Sequence, residues 1–112
     1  MAISYKELMD WVDEFHPNSK NEMDYRILAG RSYYAAYYAV SESYQADPIR
    51  FPNQGVHAQL INTLKASNDP DEKRIGHRLQ FCRNHRVDAD YHLEEDFSRS
   101  KFVQTLTKAK DI

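Results

Sequence analysis

Residues 31–40 read RSYYAAYYAV, and the part from Tyr33 to Val40 is apolar or aromatic on every side of a helix. A helix of this kind is normally covered by neighbours on more than one side. In a chain of 112 residues, this pattern predicts either the centre of a helical bundle or an oligomer interface. We expect the central helix to run from about Asn21 to Tyr44, a length of about 36 Å that spans a small bundle.

Signals at helix ends divide the rest of the chain into helices on both sides of this central one. Ser4 and Glu7 have the spacing of a capping box, and Asp69 followed by Pro70 is typical of a helix start. The segment 46–54 contains two prolines and no periodicity, which predicts a loop. We therefore expect five helices, at about residues 4–15, 21–44, 56–66, 70–86 (extending to 92 if continuous) and 97–110.

The composition agrees with a single helical domain over residues 1–112. Gly occurs 3 times and Pro 4 times, which argues against a turn-rich β-sandwich or barrel. The single Cys excludes a disulfide framework and a multi-cysteine zinc site. The sequence predicts an all-α fold, an up-and-down bundle of four to five helices.

Charge and hydropathy bear on partners and location. The net charge is −2, so binding of nucleic acid through bulk charge is not expected, and any anion site must be local. The longest apolar run, Tyr33 to Val40, is far short of the ~20 residues that a membrane span needs. Lys6, Glu7 and Asp10 fall where a signal peptide has its apolar region, so we expect a cytoplasmic protein without membrane contact.

The predicted fourth helix carries the densest chemistry. Ile75, Leu79 and Cys82 form an apolar stripe, and Arg86 occupies the next position on it. Asp90 follows four residues later and can pair with a guanidinium buried there. One interpretation is a structural ion pair that fixes the bundle register, and the other is an Arg held rigid for anion binding. Cys82, on the same stripe, is expected to be buried and unreactive.

A second group on this helix contains metal-ligand types. His85, Asp88 and His92 fall at i, i+3 and i+7, on one face of a continuous helix. Zinc and iron sites use these ligands at workable spacings of this kind. A stripe of His and Asp is also typical of a solvated face, and a fourth ligand is not evident. We therefore expect no bound metal and no cofactor.

Two segments resemble signatures of HEPN domains (higher eukaryotes and prokaryotes nucleotide-binding). Residues 31–38, RSYYAAYY, are similar to the family's S-x-YYA-x-aromatic helix. Residues 86–91, RVDADY, are similar to its R-x-x-A-D-Y signature. The resemblance covers about residues 5–110. It implies a bundle of four or five helices that is usually dimeric, and many members are metal-independent endoribonucleases.

The resemblance also suggests site residues, because the family's catalytic motif is an Arg, four to six residues, and then a His. Arg86 and His92 fit this spacing, as do Arg78 and His85 by counting alone, and the R-x-x-A-D-Y match favours Arg86. It implies that Arg86 contacts the scissile phosphate and that His92 is the general acid or base. Supporting roles are expected for Asp90, Tyr91, Ser32 and His85.

Helix geometry adds a constraint, since positions six apart lie about 120° apart around the axis. Arg86 and His92 of one chain then point to different sides, so either the helix bends near Asp90 or a second copy completes the site in a homodimer. The first expectation is therefore a toxin-like or defence-related endoribonuclease that acts on RNA at a homodimer interface. The second is a non-catalytic HEPN module that binds a nucleotide or a nucleotidyltransferase-type antitoxin partner. The third is a helical adaptor in which the Arg86–Asp90 pair is structural.

Overall fold

Five α-helices form the fold in the computed structural model, which describes residues 3–112. No strand occurs between those residues, so the all-α prediction is confirmed. None of the helices in this range combines the length and the apolar character needed to cross a membrane. The elements are α1 (Tyr5–Phe15), a short 3-10 turn (His16–Asn18), α2 (Glu22–Ser43), α3 (Val56–Lys65), α4 (Pro70–Tyr91) and α5 (Arg99–Lys110).

The predicted helix starts are confirmed by side-chain caps. Ser4 Oγ accepts a hydrogen bond from the Glu7 N–H at 3.1 Å, and Asp69 Oδ1 accepts one from the Asp71 N–H at 2.8 Å. These bonds satisfy backbone donors that have no partner inside the helix. The last helix differs from the prediction: Ser98 caps it at its first turn, so α5 begins at Arg99 rather than at residue 97.

The apolar stretch of α2 lies at the centre of the bundle, where it packs against α1, α4 and α5. Tyr33 and Ala35 are almost completely buried, and Val40 is 2% exposed. Tyr38 is the exception, since half of its surface faces solvent, and Tyr34 is half-buried. The chain therefore covers most of this helix itself and leaves an aromatic edge uncovered.

The apolar stripe of α4 lies in the core as predicted, with Ile75, Leu79 and Cys82 buried. Burial raises the pKa of the Cys82 thiol to about 12, and its Sγ lies 3.5 Å from the Thr105 carbonyl oxygen. The prediction that Cys82 is buried is therefore confirmed. Gly76, which follows Ile75 on α4, lies so close to α3 that a Cβ there would be 2.7 Å from the Lys65 backbone nitrogen.

Candidate functional site

Arg86 and Asp90 form the ion pair that their spacing on α4 predicts, with 2.9 Å between Nε and Oδ2. Arg86 Nε is buried and forms no hydrogen bond, so this contact is an ion pair only. The Arg86 side chain is 18% exposed and that of Asp90 is 40% exposed, so the pair lies at the edge of the core. Gly30 of α2 lies beneath it, where a Cβ would be 3.9 Å from both side chains.

Two tyrosine rings hold the Arg86 guanidinium in place from the sides. Its Cζ lies 5.1 Å from the centre of the Tyr34 ring and 5.6 Å from the centre of the Tyr91 ring. Both distances are within the range of cation–π attraction. Tyr91 is 67% exposed, so the contact leaves one side of this group open to solvent. The result is a rigid arginine at a surface.

Arg86, Asp90, Tyr34 and Tyr91 together form what we call the Arg86 surface. It borders an open cavity of about 860 Å³ between α1, α2 and α4. Arg31 adds a second positive charge to its lining, while Asp90 and Glu42 add negative charge. The rings of Tyr34 and Tyr38 line it with their centres 6.2 Å apart and nearly parallel. A cavity with an arginine and stacked aromatic rings has the chemistry to hold a phosphate beside a planar base.

A second, smaller cavity adjoins this one along α1. Its lining includes Leu8, Trp11 and Arg31, so Arg31 lies on the border between the two cavities. The Trp11 ring is 43% exposed and stacks on Phe15 at 5.1 Å. The cavities and the rings together form a continuous partly apolar surface over α1, α2 and α4.

His92 lies at the other side of α4. It follows the last helical residue, and its Nδ1 is 2.8 Å from Asp88 Oδ1. It lines a separate cavity of about 390 Å³ with Arg83 and Asp88. α4 stays helical through Tyr91, and the two residues of the predicted motif line different cavities within one chain.

The other predicted supporting residues are divided between the surface and the core. Tyr91 contacts Arg86, as described above. Ser32 is fully buried, and its hydroxyl donates to the Leu28 carbonyl at 2.7 Å. His85 lies against α5, with Nδ1 2.9 Å from Thr105 Oγ1. Ser32 thus lies in the core and His85 is half-buried against α5, and neither lines the Arg86 cavity.

Arg78, which has the motif spacing to His85, forms an ion pair near the C-terminal end of the sequence. Its Nη1 lies 3.0 Å from Asp111 Oδ2. Arg78 therefore contacts the Asp111 carboxylate, and His85 contacts the Thr105 hydroxyl. Both arginines are paired with a carboxylate, and Arg86 differs from Arg78 in lining the cavity of about 860 Å³.

Sequence reasoning missed an aromatic cluster around His57, at the start of α3. The Tyr33 hydroxyl lies 2.5 Å from His57 Nδ1, and the His57 ring stacks on Tyr37 with 3.9 Å between centres. Burial, with the charges of Arg83 and Arg86, lowers the pKa of His57, and burial raises the pKa of Tyr33. A loop separates these residues in sequence, so periodicity gives no signal for their contact.

Sequence reasoning also missed the role of Arg26, which is only 5% exposed. Its Nη1 donates to the carbonyl oxygens of Asp88, Ala89 and His92 at 3.2, 2.9 and 3.4 Å, and its Nη2 donates to that of Glu95. These are carbonyls at and beyond the end of α4, where a positive charge is favourable. The sequence could have indicated this role, because Arg26 has helical spacing from Ala29 and Tyr33, which are buried on α2.

No protein-family model, curated protein or solved structure matches this chain significantly. Three features of the structure bear on function: the Arg86 ion pair beside its cavity, the separate His92 cavity, and the Arg26 contacts at the end of α4.

Proposed function

We propose that this protein is a metal-independent endoribonuclease of the HEPN type, toxin-like or defence-related, with its site formed between two copies of the chain. The observation that carries the proposal is the Arg86 guanidinium, held by Asp90 and two tyrosine rings beside an open cavity. An arginine fixed in this way stays charged and presents a fork of donors to a phosphate. Its immobilisation reduces the reorganisation needed when negative charge develops there.

RNA can be cleaved without a metal when its 2′-hydroxyl attacks the neighbouring phosphate. That reaction needs a group that removes a proton, a group that supplies one to the leaving oxygen, and a cation for the phosphate. His92 suits proton transfer, and the Asp88 carboxylate at its Nδ1 orients the ring. Arg86 suits the phosphate, so the two residues divide the chemistry between them.

A homodimer supports this division, because Arg86 and His92 face different sides of α4 in one chain. A two-fold axis beside α4 brings Arg86 of one copy towards His92 of the partner subunit. Large apolar side chains remain exposed on the helices that border this face, which favours burial against a second copy. They are Met23, Ile27, Tyr38 and Tyr91.

The first test is RNA degradation by the purified protein in EDTA. Arg86→Ala and His92→Ala should each lower the cleavage rate at least about 100-fold, the usual scale for loss of a general acid or base or of a charge stabiliser. Arg99→Ala and His77→Ala change the same residue types at exposed positions and should leave the rate unchanged. Full cleavage by a folded His92→Ala protein contradicts the proposal.

A second test asks whether the site is shared between chains. Arg86→Ala and His92→Ala proteins are unfolded together, refolded as a mixture and assayed. A mixed dimer keeps one Arg86 and one His92 on different chains, so a shared site regains part of the wild-type rate. If both residues act within one chain, every site in the mixture lacks one of them and the rate stays at the level of the single variants.

A non-catalytic HEPN module that binds a nucleotide or a nucleotidyltransferase-type partner is the second candidate. The observation in its favour is that Arg86 already has Asp90 as a partner, while His92 lines another cavity. In that case, Arg86→Ala should weaken nucleotide binding and His92→Ala should not. Binding without cleavage in the wild-type protein, measured by calorimetry and the RNA assay together, would favour this candidate.

A further inference from the structure

Three side chains with metal-ligating atoms converge where α4 ends. Asp88 lies on its last turn, His92 follows the helix, and Glu95 lies in the turn beyond it. One ligand atom from each lies within 4.8 Å of the other two. We propose that Asp88, His92 and Glu95 bind a divalent transition-metal ion, with Zn²⁺ as the best match to this ligand set.

The backbone that carries these ligands is fixed by one buried group. Arg26 donates hydrogen bonds to the carbonyl oxygens of Asp88, His92 and Glu95, that is, to all three residues of the cluster. The Glu95 N–H also donates to the His92 carbonyl at 3.1 Å, which turns the chain back towards the helix. Fixed backbone positions reduce the ordering cost of bringing three ligands to one ion. The backbone of the cluster is therefore held in place before any ion binds.

The distances suit a metal after a small rotation of one exposed side chain. His92 Nδ1 lies 2.8 Å from Asp88 Oδ1 and 3.9 Å from Glu95 Oε2. Zinc bonds of about 2.0–2.2 Å put neighbouring ligand atoms roughly 3.0–3.5 Å apart. The Glu95 side chain is 57% exposed, so it can rotate closer without disturbing the core.

The charges near the cluster also favour a cation. Two carboxylates and one imidazole carry a net negative charge in every protonation state of the imidazole. The buried cation beside the cluster, Arg26, is directed at backbone oxygens and has Glu22 at 3.7 Å as its counter-ion. Arg83 lines the same cavity as His92 and offsets one of the two carboxylate charges, so the surroundings stay net negative when the imidazole is neutral, as it is in a metal ligand.

The ligand types select the class of metal. An imidazole with two carboxylates suits zinc and its neighbours, whereas Mg²⁺ prefers an all-oxygen shell with several waters. The sequence pattern had suggested His85 as the third ligand, but His85 is directed at Thr105 and Glu95 takes that place. Three protein ligands leave at least one position for water, because the side chains are partly exposed.

The site includes His92, so metal binding has a consequence that rests on the proposed function. An ion held by His92 Nδ1 and the carboxylates occupies the group proposed for proton transfer. Zinc should then inhibit RNA cleavage, and EDTA should restore it. The metal is thus an inhibitor in this proposal, in agreement with a metal-independent reaction.

Calorimetric titration of metal-free protein with zinc chloride tests the site without reference to cleavage. We expect one zinc ion per chain for the wild type and no comparable binding of magnesium chloride. Glu95→Gln and His92→Gln should each weaken zinc binding about tenfold or more. Glu94→Gln and His77→Gln are exposed matched controls that should keep the wild-type affinity.

The outcomes separate the two proposals. Zinc binding that is absent, or equally tight in Glu95→Gln, His92→Gln and the wild type, overturns the metal site. A wild-type protein that binds zinc through these residues and cleaves no RNA rejects the proposed function and leaves the metal site established. Circular dichroism of each variant verifies that the helices are intact before its affinity is compared.

Discussion

Arg26 donates a hydrogen bond from Nη1 to the carbonyl oxygen of Ala89 at 2.9 Å, across 63 positions of sequence. This contact joins the start of α2 to the end of α4. It satisfies a carbonyl that has lost its helical partner, because α4 ends two residues later. The end of α4, which lies between Arg86 and His92, is therefore tied to one arginine elsewhere in the fold.

Replacing that arginine should destabilise the protein strongly. Arg26→Ala removes a buried cation and leaves several carbonyl oxygens without a donor, at a cost of about 2–4 kcal/mol in the free energy of unfolding. Urea denaturation followed by circular dichroism measures this loss. Arg99→Ala, at an exposed position, should change stability by less than about 0.5 kcal/mol. A loss as small as this in Arg26→Ala would contradict the role assigned to it.

Two glycines in helix interiors should respond in opposite directions to the same substitution. Gly76→Ala places a Cβ 2.7 Å from the Lys65 backbone nitrogen, and the resulting shift of α3 should cost about 1–3 kcal/mol. Gly30→Ala places a Cβ in ordinary contact at 3.9 Å from Arg86 and Asp90. It should stabilise the protein by about 0.5–1 kcal/mol, since alanine favours the helix. Thermal unfolding of both variants tests the contrast, which fails if both shift in the same direction.

Mild acid should lower the free energy of unfolding, in part through protonation of His57. Burial, Arg83 and Arg86 lower its pKa, so below about pH 6.5 the unfolded chain binds a proton that the folded protein resists. Stability from this group is present at neutral pH and is lost as the pH falls through that range. His57→Gln should lose less stability than the wild type between pH 7 and pH 5 in urea titrations. His77→Gln, at an exposed position, should follow the wild type, and an identical fall in His57→Gln would refute the assignment.

The Cys82 thiol should be protected in the native protein. It is fully buried with a pKa raised to about 12, so the reactive thiolate is scarce and inaccessible. A chromogenic disulfide reagent should label it within minutes in concentrated urea and far more slowly without urea. Rapid labelling of the folded protein would mean that the α4 stripe opens readily.

The sequence predicted those features that depend on neighbours in the chain. Ser4 and Asp69 act within their own first helical turns, so the helix starts were readable from single residues. Arg86 and Asp90 are one turn apart on α4, so their pairing followed from helix geometry. The start of α5 was placed too early because Phe97 reads as an apolar helix position, whereas it is buried ahead of the Ser98 cap.

Contacts between distant segments could not be predicted from periodicity. The bond between Tyr33 and His57 depends on how a loop returns α3 to α2, and the contacts of Arg26 depend on the crossing of α2 and α4. The relation of Arg86 to His92 depends on assembly as well as on the fold of one chain. Helix geometry predicts that they lie on different sides of α4, about 120° apart, and the proposed reaction that uses both residues needs a second chain.

Trp11 is the only tryptophan in the sequence, and it lies on α1 beside the Arg31 border of the Arg86 cavity. The protein therefore carries a single tryptophan at the edge of the surface proposed for a second copy, and excitation at wavelengths that tyrosine does not absorb selects it over the eight tyrosines. Its emission reports one place in the molecule rather than an average over several. The tryptophan emission of the unlabelled wild-type protein can thus be followed on dilution and on addition of RNA. Dissociation of a dimer depends on the protein concentration, whereas binding of RNA depends on the RNA concentration, so the two events can be distinguished.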